Sequence, residues 1–355
     1  MIEKRIKEVQ SELGAKEALL VTDGNNRFYL TGFRSSAGTV LVLKEKAYFL
    51  IDFRYFEKAK NTVSALEVKL SNRTNDEIDE LLKANNINKL YIETYTTAVS
   101  AEKSYKETFG IEISSDDKMD KLLEKMRSIK TSEELELIKI AQSYTDKTFS
   151  YILERIETGR TEKEVMLDME FYMRKLGSEG VSFDFIVVSG KNSSLPHGVP
   201  TDKMIEKGDF ITMDFGAVAG GYRSDMTRTV AVGCVSDEQR LVYETVLKAQ
   251  EEAIKNISAG KICSQIDKIA RDIISEAGFG DNFGHGLGHS VGIEIHENPN
   301  FNMRCHEILL PGTVMTVEPG IYLENKFGVR IEDMVYVTEN GCINLTESPK
   351  NLIII

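Results

Sequence analysis

Positive charge is in deficit, cysteine is sparse, and long apolar runs are missing. The 355 residues carry 44 Lys and Arg against 56 Asp and Glu, a formal net charge of −12. An acidic surface argues against a nucleic-acid partner and against an anionic membrane face. Four cysteines, Cys234, Cys263, Cys305 and Cys342, are scattered and form no CxxC pair. They read as reduced, mostly structural thiols of a cytosolic protein. No run approaches the roughly 18 apolar residues that a membrane span needs. The opening MIEKRIKEVQSEL has no signal-type core and reads as an amphipathic helix with Ile2, Ile6, Val9 and Leu13 on one face. The expectation is a cytoplasmic protein with no membrane and no nucleic-acid partner.

What is present is ordinary globular composition, 41% hydrophobic and 28% charged, in a chain long enough for two domains. Ala18–Thr22, Thr39–Leu43, Ala47–Asp52 and Lys89–Glu93 read as strands, with helical patterns near Phe56–Thr62 and Asp76–Ala84. This is an α/β layout, and it holds no histidine, so it is a poor place for a transition metal. A charged stretch, Asp116 to Lys130, follows. Then Thr131-Ser-Glu-Glu134 forms a capping box that opens a long helix. The expected domains are 1–126 and 127–355.

The second domain repeats itself. Each half has a helix pair around a Gly-basic turn, Gly159-Arg160 or Gly260-Lys261, and then a β-rich stretch. Capping boxes stand at Thr161–Glu164 and Ser236–Gln239. His197-Gly-Val-Pro200 matches His296-Glu-Asn-Pro299. Gly208-Asp-Phe-Ile-Thr-Met-Asp214-Phe-Gly216 matches Gly312-Thr-Val-Met-Thr-Val-Glu318-Pro-Gly320. Arg223-Ser-Asp225 matches Arg330-Ile-Glu332. Chance could supply one such fragment, but hardly three in the same order.

A pseudo-twofold domain gathers matched residues around its axis. Here that gathers Asp214, Asp225, Glu318 and Glu332. Four carboxylates converging in a dry site repel by several kcal/mol each, roughly, unless they protonate or a cation neutralises them. Two divalent ions balance four carboxylates. Of five histidines, four lie between 285 and 306, two of them in Gly284-His285-Gly-Leu-Gly-His289. The glycines there are expected to let backbone approach a ligand closely. His306 matches no pattern and reads as a surface residue. Carboxylates with one imidazole make a hard site that favours Mn²⁺, with Co²⁺, Fe²⁺ or Zn²⁺ as alternatives. Such a pair of ions suits hydrolysis of an amide or ester.

These residues resemble the pita-bread metallopeptidases, and within them the Xaa-Pro peptidases, aminopeptidase P and prolidase. The resemblance covers the whole chain. It implies an α+β fold: a pita-bread domain of duplicated halves after a smaller creatinase-type α/β domain, to which Tyr29-Leu-Thr-Gly-Phe33 and Ile51-Asp-Phe-Arg-Tyr55 are similar. It implies metal ligands at Asp214, Asp225, His289, Glu318 and Glu332, with Asp225 and Glu332 bridging. It implies that His197 and His296 contact the substrate carbonyl, and that His285, Tyr322 and Arg330 line or position the substrate. Glu318 would shuttle a proton while a metal-bridging hydroxide attacks the bond before proline. A homodimer is also implied.

The 14-residue gap between Glu318 and Glu332 favours the proline-specific branch over methionine aminopeptidase, and creatinase lacks the ligands present here. A dipeptidase of this family would carry an arginine shortly after His296; Asn298, Pro299 and Asn300 stand there, with Arg304 further on. The expectation is therefore an Xaa-Pro aminopeptidase acting on proline-containing peptides, with prolidase as the alternative. A metal-free, non-enzymatic pita-bread binding module is the rival from another class.

Overall fold

The computed structural model describes residues 1–355 and divides into two compact units, Met1–Arg127 and Ser128–Ile355. None of its helices is long and apolar enough to cross a membrane.

The first unit is built on one sheet of six strands: β1 (Glu17–Val21), β2 (Thr39–Leu43), β3 (Ala47–Ile51), β4 (Glu67–Leu70), β5 (Lys89–Ile92) and β6 (Glu112–Ser114), in the order β4-β3-β2-β1-β5-β6. The four strands expected from sequence are present within a residue or two. β2 and β3 are buried at every position, as continuous apolar runs covered on both faces should be. β4 and β6 were not expected. They are the two edge strands, short and partly polar, which blunts edge pairing at the expense of a readable pattern. The charged stretch also holds a helix, Lys118–Ser128, with Met119, Leu123 and Met126 buried along one face. Charge density hid a helical stripe.

The second unit is two copies of one plan. Helices Ser132–Leu153 and Glu162–Lys175 precede β7 (Ile186–Ser189), β8 (Phe210–Phe215), β9 (Val218–Ala219), β10 (Tyr222–Arg223) and β11 (Met226–Ala231). Helices Asp237–Lys255 and Cys263–Glu276 precede β12 (Gly288–Ser290), β13 (Glu297–Phe301), β14 (Val314–Val317), β15 (Gly320–Leu323), β16 (Phe327–Arg330), β17 (Asp333–Thr338) and β18 (Gly341–Asn344). β8 pairs antiparallel with β11, and β14 with β17. Between each pair the chain makes a two-stranded excursion, β9–β10 or β15–β16. The sheets run β11-β8-β7 and β13-β12-β14-β17-β18.

The duplication extends to single hydrogen bonds. Gly159 and Gly260 both adopt positive φ, 93° and 83°. Gly159 N–H donates to Ile205 O at 2.9 Å, and Gly260 N–H to Leu309 O at 2.9 Å. All three capping boxes form, at Thr131, Thr161 and Ser236. The fourth helix starts after Ile262 without a side-chain cap. Two apolar cores result, one per half, around Phe149, Met169 and Phe215 and around Tyr243, Ile266 and Phe301.

Candidate metal centre

The matched acids stand at matched places in the two sheets. Asp214 is near the end of β8 and Asp225 immediately precedes β11. Glu318 immediately follows β14 and Glu332 immediately precedes β17. Antiparallel pairing of each strand couple brings its two acids together, and the apolar interiors of β8 and β14 keep them away from bulk water.

Ligand atoms of Asp225, His289 and Glu332 lie within 4.8 Å of one another. His289 Nε2 is 3.6 Å from Asp225 Oδ2 and 3.3 Å from Glu318 Oε1. Its other nitrogen, Nδ1, lies 3.2 Å from Ser290 O, which orients the ring. Asp214 is divided: Oδ2 accepts from Arg330 Nη2 at 2.6 Å, while Oδ1 is buried with no hydrogen-bond partner. Glu332 is divided in the same way. Its Oε2 accepts from Thr227 Oγ1 at 2.7 Å, and its Oε1 is buried and unpartnered.

The charges behave as crowded acids must. Burial pushes Asp225 well above the usual carboxylate range, and the charges of Glu332, Asp214 and Glu318 push it further. Glu332 is raised well above its range by burial and by Glu318 and Asp214. Asp214 is raised by burial, opposed by Arg330. Glu318 goes the other way. Burial would raise it, but the hydrogen bond and charge of His289 outweigh that and hold it at about 2. Burial lowers His289, yet Glu318 reverses that and raises it. Two orphaned carboxylate oxygens, mutual repulsion and one imidazole fit a divalent cation, because a cation supplies both the missing partners and the missing charge.

All ten residues singled out in the sequence line one cavity of about 940 Å³. His285 Nε2 is 3.0 Å from Tyr322 Oη, and Arg330 Nη1 donates to the same oxygen at 2.8 Å. Burial lowers His285, whose Nδ1 lies 2.8 Å from Gly286 O. His296 is edge-on to His289 with ring centroids 4.4 Å apart, and burial and His289 lower it. His197 is exposed at the cavity wall, and His306 is exposed elsewhere. The apolar wall includes Phe183, Phe185, Ile186 and Phe301.

The glycines also have a packing reason. Gly284 faces open space. A Cβ at residue 286 would stand 2.8 Å from Phe301 O, and one at residue 288 would stand 2.1 Å from Thr316 O. Gly286 and Gly288 admit neighbouring backbone at the same place where they line the cavity. The matched arginines also diverge. Arg330 lies inside the site, whereas Arg223 Nε donates to Ile293 O at 3.0 Å, outside it.

Sequence reasoning missed the supports. Thr227 Oγ1 receives Arg330 Nε at 3.0 Å and donates to Glu332, so one hydroxyl joins the two. Arg228, almost fully buried, donates to Asp333 Oδ1 at 2.7 Å, and Lys350 Nζ lies 2.8 Å from Asp333 Oδ2. Asp333 adjoins Glu332, and Thr227 and Arg228 follow Asp225 by two and three residues, but nothing near either acid signals Lys350.

Residues 136–339 match the model of metallopeptidase family M24, and residues 5–129 match the creatinase/prolidase N-terminal domain. An Xaa-Pro dipeptidase of Pyrococcus furiosus is 40% identical over 329 residues, 92% of each chain. A solved Xaa-Pro dipeptidase from Bacillus anthracis superposes with TM-score 0.95 at 41% identity, covering 100% of both chains. A solved X-Pro aminopeptidase from Thermotoga maritima gives TM-score 0.90 at 36% identity, covering 98% of this chain and 99% of that one. The fold is the pita-bread fold of these peptidases, and the chain belongs to metallopeptidase family M24.

Proposed function

We propose that the chain is an Xaa-Pro dipeptidase, in which Asp214, Asp225, His289, Glu318 and Glu332 would hold two divalent metal ions. The observation that carries the metal reading is the pair of buried, unpartnered oxygens on Asp214 and Glu332 beside the repelling Asp225. Mn²⁺ is the ion best suited to this oxygen-rich set. Bound there, the ions supply Lewis-acid polarisation and a water of lowered pKa.

The chain's own groups do the rest. His296 and His197 face the cavity, and each can donate N–H to the scissile carbonyl oxygen as charge develops on it. Glu318 takes the proton of the attacking water and passes it to the proline nitrogen, which leaves as a secondary amine and needs that proton. A carboxylate held at about 2 is a weak base, but the hold comes from His289. That hydrogen bond would be given up if His289 held a metal ion. Arg330 spends its N–H groups on Asp214, Tyr322, Thr227 and Pro196 O, so it positions Asp214 and Tyr322. Tyr322 and His285 then meet the substrate as a linked pair.

The dipeptidase reading replaces the expected aminopeptidase one. It is supported by dipeptidase names on relatives at 40% and 37% identity and on the structure at TM-score 0.95. Arg304 does not line the cavity, whereas Lys163, Asn300 and Asn302 do and can meet a substrate carboxylate. The test compares Ala-Pro with Ala-Pro-Ala and longer Xaa-Pro peptides after Mn²⁺ loading. A kcat/KM at least about 100-fold higher for the dipeptide is expected, about 2.7 kcal/mol of discrimination. Equal or better turnover of the longer peptides returns the reading to aminopeptidase. No turnover of either, with no Mn²⁺ bound, sinks the enzyme.

A further inference from the structure

A buried ion pair stands behind the metal-site histidine and has no part in the chemistry above. Lys130 Nζ lies 3.1 Å from Glu297 Oε2, with the two side chains 1% and 5% exposed. Lys130 also donates to Ser290 Oγ at 3.2 Å, on the residue next to His289. The other carboxylate oxygen of Glu297 accepts the backbone N–H groups of Ile293 and Glu294 at 3.1 and 3.2 Å. A Cβ at residue 292 would stand 2.4 Å from Glu297 Oε2, so Gly292 is what lets the carboxylate close on this loop. Arg223 holds the same loop: its backbone N–H donates to Gly292 O at 2.9 Å, and its side chain reaches Ile293 O.

The loop so held begins at His289 and ends at His296. The β12–β13 register breaks between His289 and Ser290, so the sheet ladder alone does not set the loop's path. Desolvating an ammonium and a carboxylate is costly, and a buried pair seldom stabilises a fold more than apolar residues of equal volume. Stability is thus a weak account of this pair. Its contacts to Ser290, Ile293 and Glu294 are a positional one.

We propose that Lys130 and Glu297 are positioning residues for the metal site, locking the loop between His289 and His296 so that both imidazoles face the carboxylates. This rests on His289 being a metal ligand, as proposed above. The pair acts through that loop and touches neither substrate nor metal.

The test uses the full chain, stripped by chelator and retitrated with Mn²⁺ by calorimetry, beside melting curves and kinetics. Lys130→Met and Glu297→Gln each remove one charge of the buried pair and leave the other, and each lowers the melting temperature. The double variant removes both charges and recovers most of that loss. The expected result is that the double variant still binds the His289-dependent Mn²⁺ about 10- to 100-fold more weakly, with kcat reduced and KM little changed. Recovery of Mn²⁺ affinity together with melting temperature overturns the proposal. Gly292→Ala keeps both charges but displaces the carboxylate, and it decides the matter if the double variant does not fold. Weakened Mn²⁺ binding in Gly292→Ala supports the proposal; wild-type binding overturns it. His289→Ala separates this inference from the reading beneath it. If His289→Ala keeps full Mn²⁺ affinity, the metal assignment itself fails. If it loses Mn²⁺ and the double variant does not, only the positioning role fails.

Discussion

Asp225 shows what one side chain costs the fold for the sake of chemistry. It is 4% exposed, and Glu332, Asp214 and Glu318 all repel its charge. Removing that charge while keeping the shape should relieve the repulsion. Asp225→Asn is expected to raise the melting temperature of the chelated protein by about 2–6 °C, roughly 1–2 kcal/mol for a unit of this size. If Asp225 is a metal ligand as proposed, the same change should lower Mn²⁺-dependent turnover at least about 1000-fold. Differential scanning fluorimetry in chelator, paired with a peptidase assay, reads both. An Asn variant that melts lower, or that keeps near-normal activity, contradicts the assignment. Thr227 carries the opposite lesson. A threonine inside a strand is unremarkable in sequence, yet its hydroxyl links Arg330 to Glu332.

At the scale of elements, the site depends on how closely β12 and β14 approach. Gly288 sits where a Cβ would stand 2.1 Å from Thr316 O, while Gly284, four residues earlier in the same glycine-rich stretch, meets nothing within 4 Å. Gly288→Ala is expected to push β12 off β14, costing about 2–3 kcal/mol and displacing His289 from its carboxylates. Gly284→Ala should change stability by less than about 0.5 kcal/mol. Urea melts of the two variants, with Mn²⁺ titrations alongside, test the contrast. Equal effects would mean that glycine serves loop flexibility there and not strand packing.

At the scale of the whole molecule, two half-sites with like charge are brought face to face, and the consequence is a pH dependence. Asp225 and Glu332 have folded-state pKa values raised above their unfolded ones. Their protonated forms therefore favour the fold below the unfolded value, near 4 for a carboxylate, and that contribution is lost as pH rises through the raised values. His289, also raised, acts in the same direction. Glu318, held at about 2, acts oppositely, but its contribution is lost only as pH falls toward that value. Chelated protein is thus expected to melt higher at pH 5 than at pH 8, and saturating Mn²⁺ should flatten or reverse the slope. A chelated protein that melts higher at pH 8 would mean that the acids are not crowded as described.

Much of this was legible in the primary structure because it rests on local or repeated signals. Apolar runs define β2 and β3, capping boxes mark three helix starts, and three ordered fragment pairs reveal the duplication. The same repeat named the acids, since a pseudo-twofold axis needs matched residues to meet. The edge strands β4 and β6 escaped notice because short polar edges carry little periodicity. The supporting contacts escaped for a different reason: Lys130 and Glu297 are 167 residues apart, Thr227 and Glu332 are 105 apart, and such pairs leave no spacing to read. Sequence determined that the acids come in matched pairs. Only tertiary structure decided that Arg330 turns into the site while its counterpart Arg223, outside the cavity, braces the loop between His289 and His296. Identical motifs face different neighbours in the two halves, and hydrogen-bond geometry is set by those neighbours.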